Sequence, residues 1–239
     1  MIPKIIHYCW FGRGTMPDSA LQCIESWHRC MPDWEFVRWD EESFDISSFH
    51  YAQEAYEMKK YAFVSDVARL YALDSYGGVY LDTDVLVYKS FEPLLGYRAF
   101  AGFEGSKHCP VGTCVIGSEA HGEWVGRQLA DYEGRRFLLP EGGMDMTTNV
   151  AYITAKMERD GFVANGLEQD FGGIHVFPVD FFCPRHTTGE YFRTENTYCE
   201  HLGIGSWVDA GSSWKSRILS RMPLSLRVLM IKMKRKIFG

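Results

Sequence analysis

Gly77-Gly78-Val79-Tyr80-Leu81-Asp82-Thr83-Asp84-Val85-Leu86-Val87 decides how this chain is read. Its β-branched and aromatic composition, bounded by a glycine pair, predicts a buried strand. Side chains two apart on a strand share a face, so the carboxylates of Asp82 and Asp84 are expected to converge on one small volume. Two like charges buried without a partner would cost several kcal/mol or force one to protonate, and a bound cation resolves the conflict. A hard divalent ion held by two carboxylates keeps open positions for water and phosphate oxygens. The competing reading is a solvated turn at a strand end.

Working outward, a helix is predicted from about Glu54 to Tyr76, with Tyr61, Val64, Ala68, Tyr71 and Ala72 on one face, stopped by Gly77-Gly78. Near its middle, Asp66 and Arg69 stand three apart, close enough to interact across one turn. They form either a structural ion pair or a polar contact to a nucleotide sugar. Ile2 to Trp10 reads as a first strand that ends at Phe11-Gly12-Arg13-Gly14, and strand ends of this kind hold ligands in open α/β sheets. A helix after Pro17 runs to Pro32, followed by a strand from Trp34 to Trp39. Strands are further expected at Ala99–Phe103, Val111–Ile116, Ile174–Pro178 and Tyr198–Leu202, and helices at about Glu123–Tyr132 and Thr147–Arg159. This alternation implies an α/β fold, one mixed sheet with helices on both faces.

The chain has 239 residues and is 46% hydrophobic, enough for a sizeable core, and it is 15% aromatic, including seven Trp and thirteen Tyr. Its seven cysteines are scattered without a CxxC pair, so neither a disulfide framework nor a zinc knuckle is indicated, and a reducing cytosol fits. Pro3 and Lys4 interrupt the first apolar residues, unlike a secretory signal, and no stretch approaches the ~20 apolar residues of a membrane span. The formal charge of −6 is unevenly spread: eight basic residues and no acidic one fall between Gly211 and Gly239. Ile218, Met222, Leu226, Leu229, Met230, Met233 and Ile237 recur there at helical spacing, as in a helix on an anionic membrane surface, and the alternative is a helix docked on the acidic body. Residues 1–210 are accordingly read as a catalytic domain and 211–239 as a basic amphipathic C-terminal helix. A nucleic-acid arm is disfavoured, since Trp214 and Phe238 are the only aromatics in that segment.

Far downstream, Tyr198-Cys199-Glu200-His201-Leu202-Gly203-Ile204-Gly205-Ser206-Trp207 joins a metal-ligand candidate to glycines, a hydroxyl and an indole. Glycines let backbone amides approach phosphate oxygens. His201 is suited to complete the ion's shell, Ser206 to bind the ion or a phosphate, and Trp207 to donate its N–H to a diphosphate.

The block from Ser65 through Asp84, the opening Ile2-Pro3-Lys4-Ile5-Ile6-His7 and the closing His201 to Trp207 together resemble the retaining DxD glycosyltransferases of family 32. These are the capsular and lipopolysaccharide sugar transferase and initiating mannosyltransferase relatives, distantly similar to the clostridial glucosylating toxins. The resemblance spans about residues 1–208. It implies a GT-A fold and transfer of a hexose or N-acetylhexosamine, with retention, from a nucleotide-diphosphate sugar, uracil favoured as the base, using Mn²⁺ or Mg²⁺. It implies that Trp10 stacks on the base, that Asp66 and Arg69 meet the donor sugar, and that Tyr80 lies beside the donor. Asp82, Asp84 and His201 take the metal, and Ser206 and Trp207 close on the diphosphate. No residue of Glu141 to Asn149 matches a nucleophile unambiguously. Asp145, with Asn149 behind it, is the candidate near the anomeric carbon, against the reading of Asp145 as a helix N-terminal acid. Retention by a covalent intermediate and retention by same-face attack both stay open. His108 and His121 read as surface or turn residues.

The expected acceptor is a glycan or lipid-linked oligosaccharide hydroxyl in bacterial surface polysaccharide synthesis, with the protein cytoplasmic and peripheral on the inner face of the membrane. Two other classes compete. In haloacid-dehalogenase-like phosphatases a strand also ends in two aspartates one residue apart, but Leu86 and the absence of a downstream acidic pair fit poorly. A non-catalytic sugar-binding module would explain the aromatics but not the glycine-flanked closing element.

Overall fold

The computed structural model describes residues 1–105, 109–184 and 193–203. The first strand, β1 (Ile5–Cys9), is followed by α1 (Asp18–Cys30), begun by Pro17 and with His28 and Arg29 in its last turn, where cations suit the helix dipole. Then come β2 (Glu35–Trp39), α2 (His50–Glu57) and α3 (Tyr61–Tyr76). The single helix expected over 54–76 is thus two. Lys59 sits in the left-handed region at φ 57°, and Lys60 N–H reaches back to the Ala55 carbonyl at 2.8 Å. The break lets α2 turn onto α3 and frees Glu54 to accept from the backbone amides of Phe137 and Leu138 and from Arg136.

Gly77, at φ +66°, closes α3 through its amide to the Leu73 carbonyl, 2.9 Å. A Cβ on Gly78, at φ +113°, would lie 2.6 Å from the Ile5 carbonyl oxygen, so β1 and the next strand need glycine there to approach each other. That strand is β3 (Gly78–Leu81), shorter than expected. The chain leaves the sheet at Leu81, turns through Asp82-Thr83-Asp84 with Val85 N–H on the Asp82 carbonyl (3.0 Å), and continues as β4 (Val85–Val87) in another sheet.

The remaining elements are β5 (Ala99–Phe103), β6 (Val111–Ser118), α4 (Glu123–Gly134), α5 (Asn149–Arg159), β7 (Gln169–Phe171), β8 (Ile174–Phe177), α6 (Val179–Phe182) and β9 (Cys199–His201). Seven strands form one mixed sheet in the order β2-β1-β3-β6-β5-β8-β7. β1 is parallel to β2 and β3, β6 is antiparallel to β3 and β5, and β8 is parallel to β5. β4 and β9 pair antiparallel as a separate ribbon. Alternation along β3 divides the core: Tyr80 faces a cluster supplied by α2 to α5, while Val79 and Leu81 face one supplied by α1, α6 and the ribbon. Helices therefore cover both faces, as the sequence implied. Among the described residues, no helix is long and apolar enough to cross a membrane. The expected helix within 211–239 lies outside the described residues.

Candidate functional site

A cleft of about 430 Å³ opens where β1 and β3 end, lined by Trp10, Asp66, Arg69, Tyr80, Asp82, Asp84, Asn149 and His201 among others. Strand pairing creates its central feature. The β4–β9 register sets Val85 opposite His201, and Leu202 N–H on the Asp84 carbonyl (3.0 Å) extends the ladder. A residue more than a hundred positions away is thereby held beside the aspartate turn, with His201 Nε2 3.2 Å from Asp84 Oδ1. Ligand atoms of Asp82, Asp84 and His201 all lie within 4.8 Å of one another. The alternation argument for Asp82 and Asp84 is corrected in its cause: a turn, not a strand face, brings them together.

Asp82 is held from behind. Tyr80 donates its hydroxyl to Asp82 Oδ1 at 2.9 Å, and Arg69 Nη2 lies 3.4 Å from the same oxygen. Arg69 is 5% exposed and tied at several points: Asp66 at 3.0 Å, the Thr113 carbonyl at 2.7 Å, the Ser65 carbonyl at 3.2 Å, and the face of the Tyr80 ring at 4.5 Å. Burial works against its charge, but Asp82, Tyr80 and Asp66 outweigh it and raise its pKa. Burial pushes the Tyr80 phenol well above its usual range, so it remains a donor. Asp66, 8% exposed, is pushed up to about 6 by burial despite the neighbouring guanidinium. The Asp66–Arg69 ion pair is present in the structure, and both of its residues line the cleft.

Trp10 also lines the cleft, its indole N–H fixed on the Gly14 carbonyl at 2.6 Å. Asn149, the first residue of α5, is 2% exposed; its Nδ2 donates to the Asp66 carbonyl at 3.2 Å and its Oδ1 accepts from the Tyr132 hydroxyl at 3.1 Å. Asp145 is placed apart from these residues. It is not in the cleft lining; its carboxylate pairs with Arg135 at 2.6 Å and accepts from the Thr147 amide at 3.1 Å. Burial raises its pKa, but Arg135 and Thr147 prevail and hold it below the usual carboxylate value. Arg135 in turn lies over the rings of Tyr51, Tyr132 and Tyr152, so Asp145 belongs to a packed cation–aromatic cluster. His121 occupies a left-handed turn position at φ 55°, as read from sequence. Ser206, Trp207 and His108 lie outside the described residues. Sequence reasoning missed Ser65, Glu104, Thr113, Cys114 and Thr148 as lining residues. Ser65, next to Asp66, and Thr148, next to Asn149, lie in segments already singled out and carried a usable signal.

Two carboxylates and an imidazole at this spacing fit a divalent cation of the Mn²⁺ or Mg²⁺ type, with the unfilled positions left to oxygen ligands. The adjacent buried guanidinium and wall indole suit a negatively charged group attached to a ring system.

Residues 17–101 match the family described as the glycosyltransferase sugar-binding region containing the DXD motif. The chain is 35% identical over 103 residues to inositol phosphoceramide mannosyltransferase 3 of Schizosaccharomyces pombe, covering 41% of this chain and 29% of that protein. It is 30% identical over 127 residues to mannosyl phosphorylinositol ceramide synthase SUR1 of Saccharomyces cerevisiae, covering 49% and 31%. The chain thus spans about a third of the length of these relatives. Among solved structures, the PaToxG glycosyltransferase superposes with a TM-score of 0.51 at 18% identity, over 67% of this chain and 70% of that one, a likeness of the GT-A fold.

Proposed function

We propose, from the match of residues 17–101 to the glycosyltransferase sugar-binding region containing the DXD motif, that this chain transfers a hexosyl group from a nucleoside-diphosphate sugar to a hydroxyl of a glycan or lipid-linked acceptor. The observation that carries this reading is the convergence of Asp82, Asp84 and His201 with the buried Asp66–Arg69 pair in one cleft. Asp82, Asp84 and His201 would hold Mn²⁺ or Mg²⁺, which supplies neutralisation of the leaving diphosphate. Arg69 and the Tyr80 hydroxyl fix Asp82 before any ligand arrives, so little reorganisation is needed during the reaction. Asp66 is placed to accept from a sugar hydroxyl, and Asn149 holds the backbone that carries it. Trp10 offers its face to the base and excludes water there.

With Asp145 engaged by Arg135 outside the cleft, retention is read as same-face attack without an enzyme nucleophile from the 141–149 segment. The sugar is open between two supports. The family resemblance favours a uridine-linked hexose or N-acetylhexosamine, whereas the relatives' names bring mannose and an inositol phosphoceramide acceptor to the first assays. The basic apolar segment 211–239 would place the active domain on an anionic membrane face, cytoplasmic in the bacterial-surface reading. Thermal-shift screening of UDP- and GDP-linked hexoses with Mn²⁺ tests the donor assignment. A stabilising donor that requires both Mn²⁺ and Asp84 is expected; no stabilisation by any nucleotide sugar would defeat it.

A further inference from the structure

Beside the aspartate turn, a second set of donor atoms converges that no sequence motif announces. Glu104 follows β5, Cys114 lies within β6, Cys183 follows α6 and His201 ends β9. Their ligand atoms all lie within 4.8 Å of one another. The thiols of Cys114 and Cys183, 3% and 6% exposed, stand 3.5 Å apart, sulfur to sulfur. In a tetrahedral zinc site, Zn–S bonds of about 2.3 Å set the sulfur–sulfur edge at about 3.8 Å. The observed spacing therefore needs only a few tenths of an ångström of adjustment. Four donors from four separate elements, two of them sulfur, form the complement of a closed zinc centre, whereas Mn²⁺ and Mg²⁺ favour the oxygen-rich Asp82–Asp84 side.

His201 belongs to both sets. It contacts Asp84 at 3.2 Å and also interacts with Cys114. We propose that Glu104, Cys114, Cys183 and His201 form a second metal site that takes Zn²⁺, and that it competes with the Asp82–Asp84 site for the His201 imidazole. Zinc binding there releases both thiol protons, and any proton on the ligating His201 nitrogen, to solvent and leaves a net anionic centre at the cleft lining, to which Glu104, Cys114 and His201 contribute. A zinc-loaded protein then holds its catalytic cation with the two aspartates alone, so zinc acts as a brake on any reaction that needs that cation.

The test uses the full chain, metal-stripped and kept under a phosphine reductant without oxygen. Titrated with Co²⁺ as a spectroscopic substitute, the unaltered protein should develop thiolate-to-cobalt charge-transfer absorption that one equivalent of Zn²⁺ abolishes. Competition with a chromophoric chelator should show Zn²⁺ affinity falling on the order of a hundredfold in Cys183→Ser while Asp82→Ala keeps it. Cys30→Ser serves as a cysteine control outside the cluster, and a cooperative melt of Cys183→Ser verifies folding. Mn²⁺ binding should weaken about tenfold or more when zinc is present. Absence of the charge-transfer band in the unaltered protein overturns the proposal without any variant. Zinc affinity lost with Asp82→Ala and kept in Cys183→Ser would also overturn it, because zinc would then sit in the aspartate site. Neither result bears on whether the protein transfers sugar.

Discussion

Replacing Asp66 with Asn should stabilise the metal-free protein while damaging its chemistry. In the folded state, burial holds the Asp66 carboxyl at about 6, against 3.8 in an unperturbed chain. The folded form therefore binds the proton more tightly between those values, and stability is lost as pH rises through that window. Roughly two pKa units at 1.36 kcal/mol each put the cost of the buried charge at about 3 kcal/mol above pH 6. Asn resembles the protonated carboxyl, keeps an oxygen for Arg69, and removes that cost. Urea unfolding with a chelator present should thus show the variant about 3 kcal/mol more stable at pH 7.5, with the gain shrinking to near zero below about pH 4. Nucleotide-sugar turnover should fall about 10- to 100-fold, the worth of one hydrogen bond to a charged group. A variant less stable than the parent at pH 7.5, or a gain equal at pH 4 and 7.5, would refute this view of Asp66 as a strained functional carboxylate.

Asp145→Asn should leave nucleotide-sugar hydrolysis within a few-fold of the parent while lowering the melting temperature, since it weakens only the Arg135 cluster; a loss of turnover comparable to that of Asp84→Ala would restore Asp145 to the reaction. Trp10→Ala should raise the donor KM with little change in kcat, because stacking on the base is made equally in ground and transition states; steady-state kinetics with a saturable donor series decides it. Gly117→Ala should cost about 1–3 kcal/mol by overpacking, as its Cβ would fall 2.1 Å from the Phe100 ring, and calorimetry should show the lower melting point. Co-sedimentation with anionic vesicles should require residues 211–239, and equal pelleting of a chain ending near Gly211 would remove that segment's membrane role.

Local signals carried much of the fold. Gly77 ends α3 as its left-handed geometry demands, and Ala99–Phe103 is a strand with the bounds its composition implied. The aspartate pair, the Asp66–Arg69 spacing and His201 were equally visible, because each is a charged or ligating side chain in an apolar setting. Partnerships set by long-range topology were not. Nothing in Val79 to Val87 tells where the chain changes sheets, since Val85–Val87 suits either; pairing with Cys199–His201 makes that choice. The break at Lys59 is hidden inside a continuous helical pattern, and in the fold it accompanies the contact of Glu54 with the 137–138 backbone, a partner far away in sequence. From sequence, Asp145 reads as either a candidate near the anomeric carbon or a helix N-terminal acid, because Arg135, ten residues earlier, gives no hint that its guanidinium is stacked among three tyrosines. The Cys114–Cys183 approach was likewise invisible to spacing rules, which look for ligands close in sequence.

The central claim is that Asp82 and Asp84, braced by Arg69 and joined by His201, form the cation and diphosphate site of a sugar-nucleotide enzyme. Its most direct test is release of nucleoside diphosphate from a panel of UDP- and GDP-linked hexoses by the purified chain with Mn²⁺, compared across Asp82→Ala and Asp84→Ala. The account predicts turnover that a chelator stops and that each substitution lowers at least a hundredfold. Turnover that survives both substitutions would contradict it.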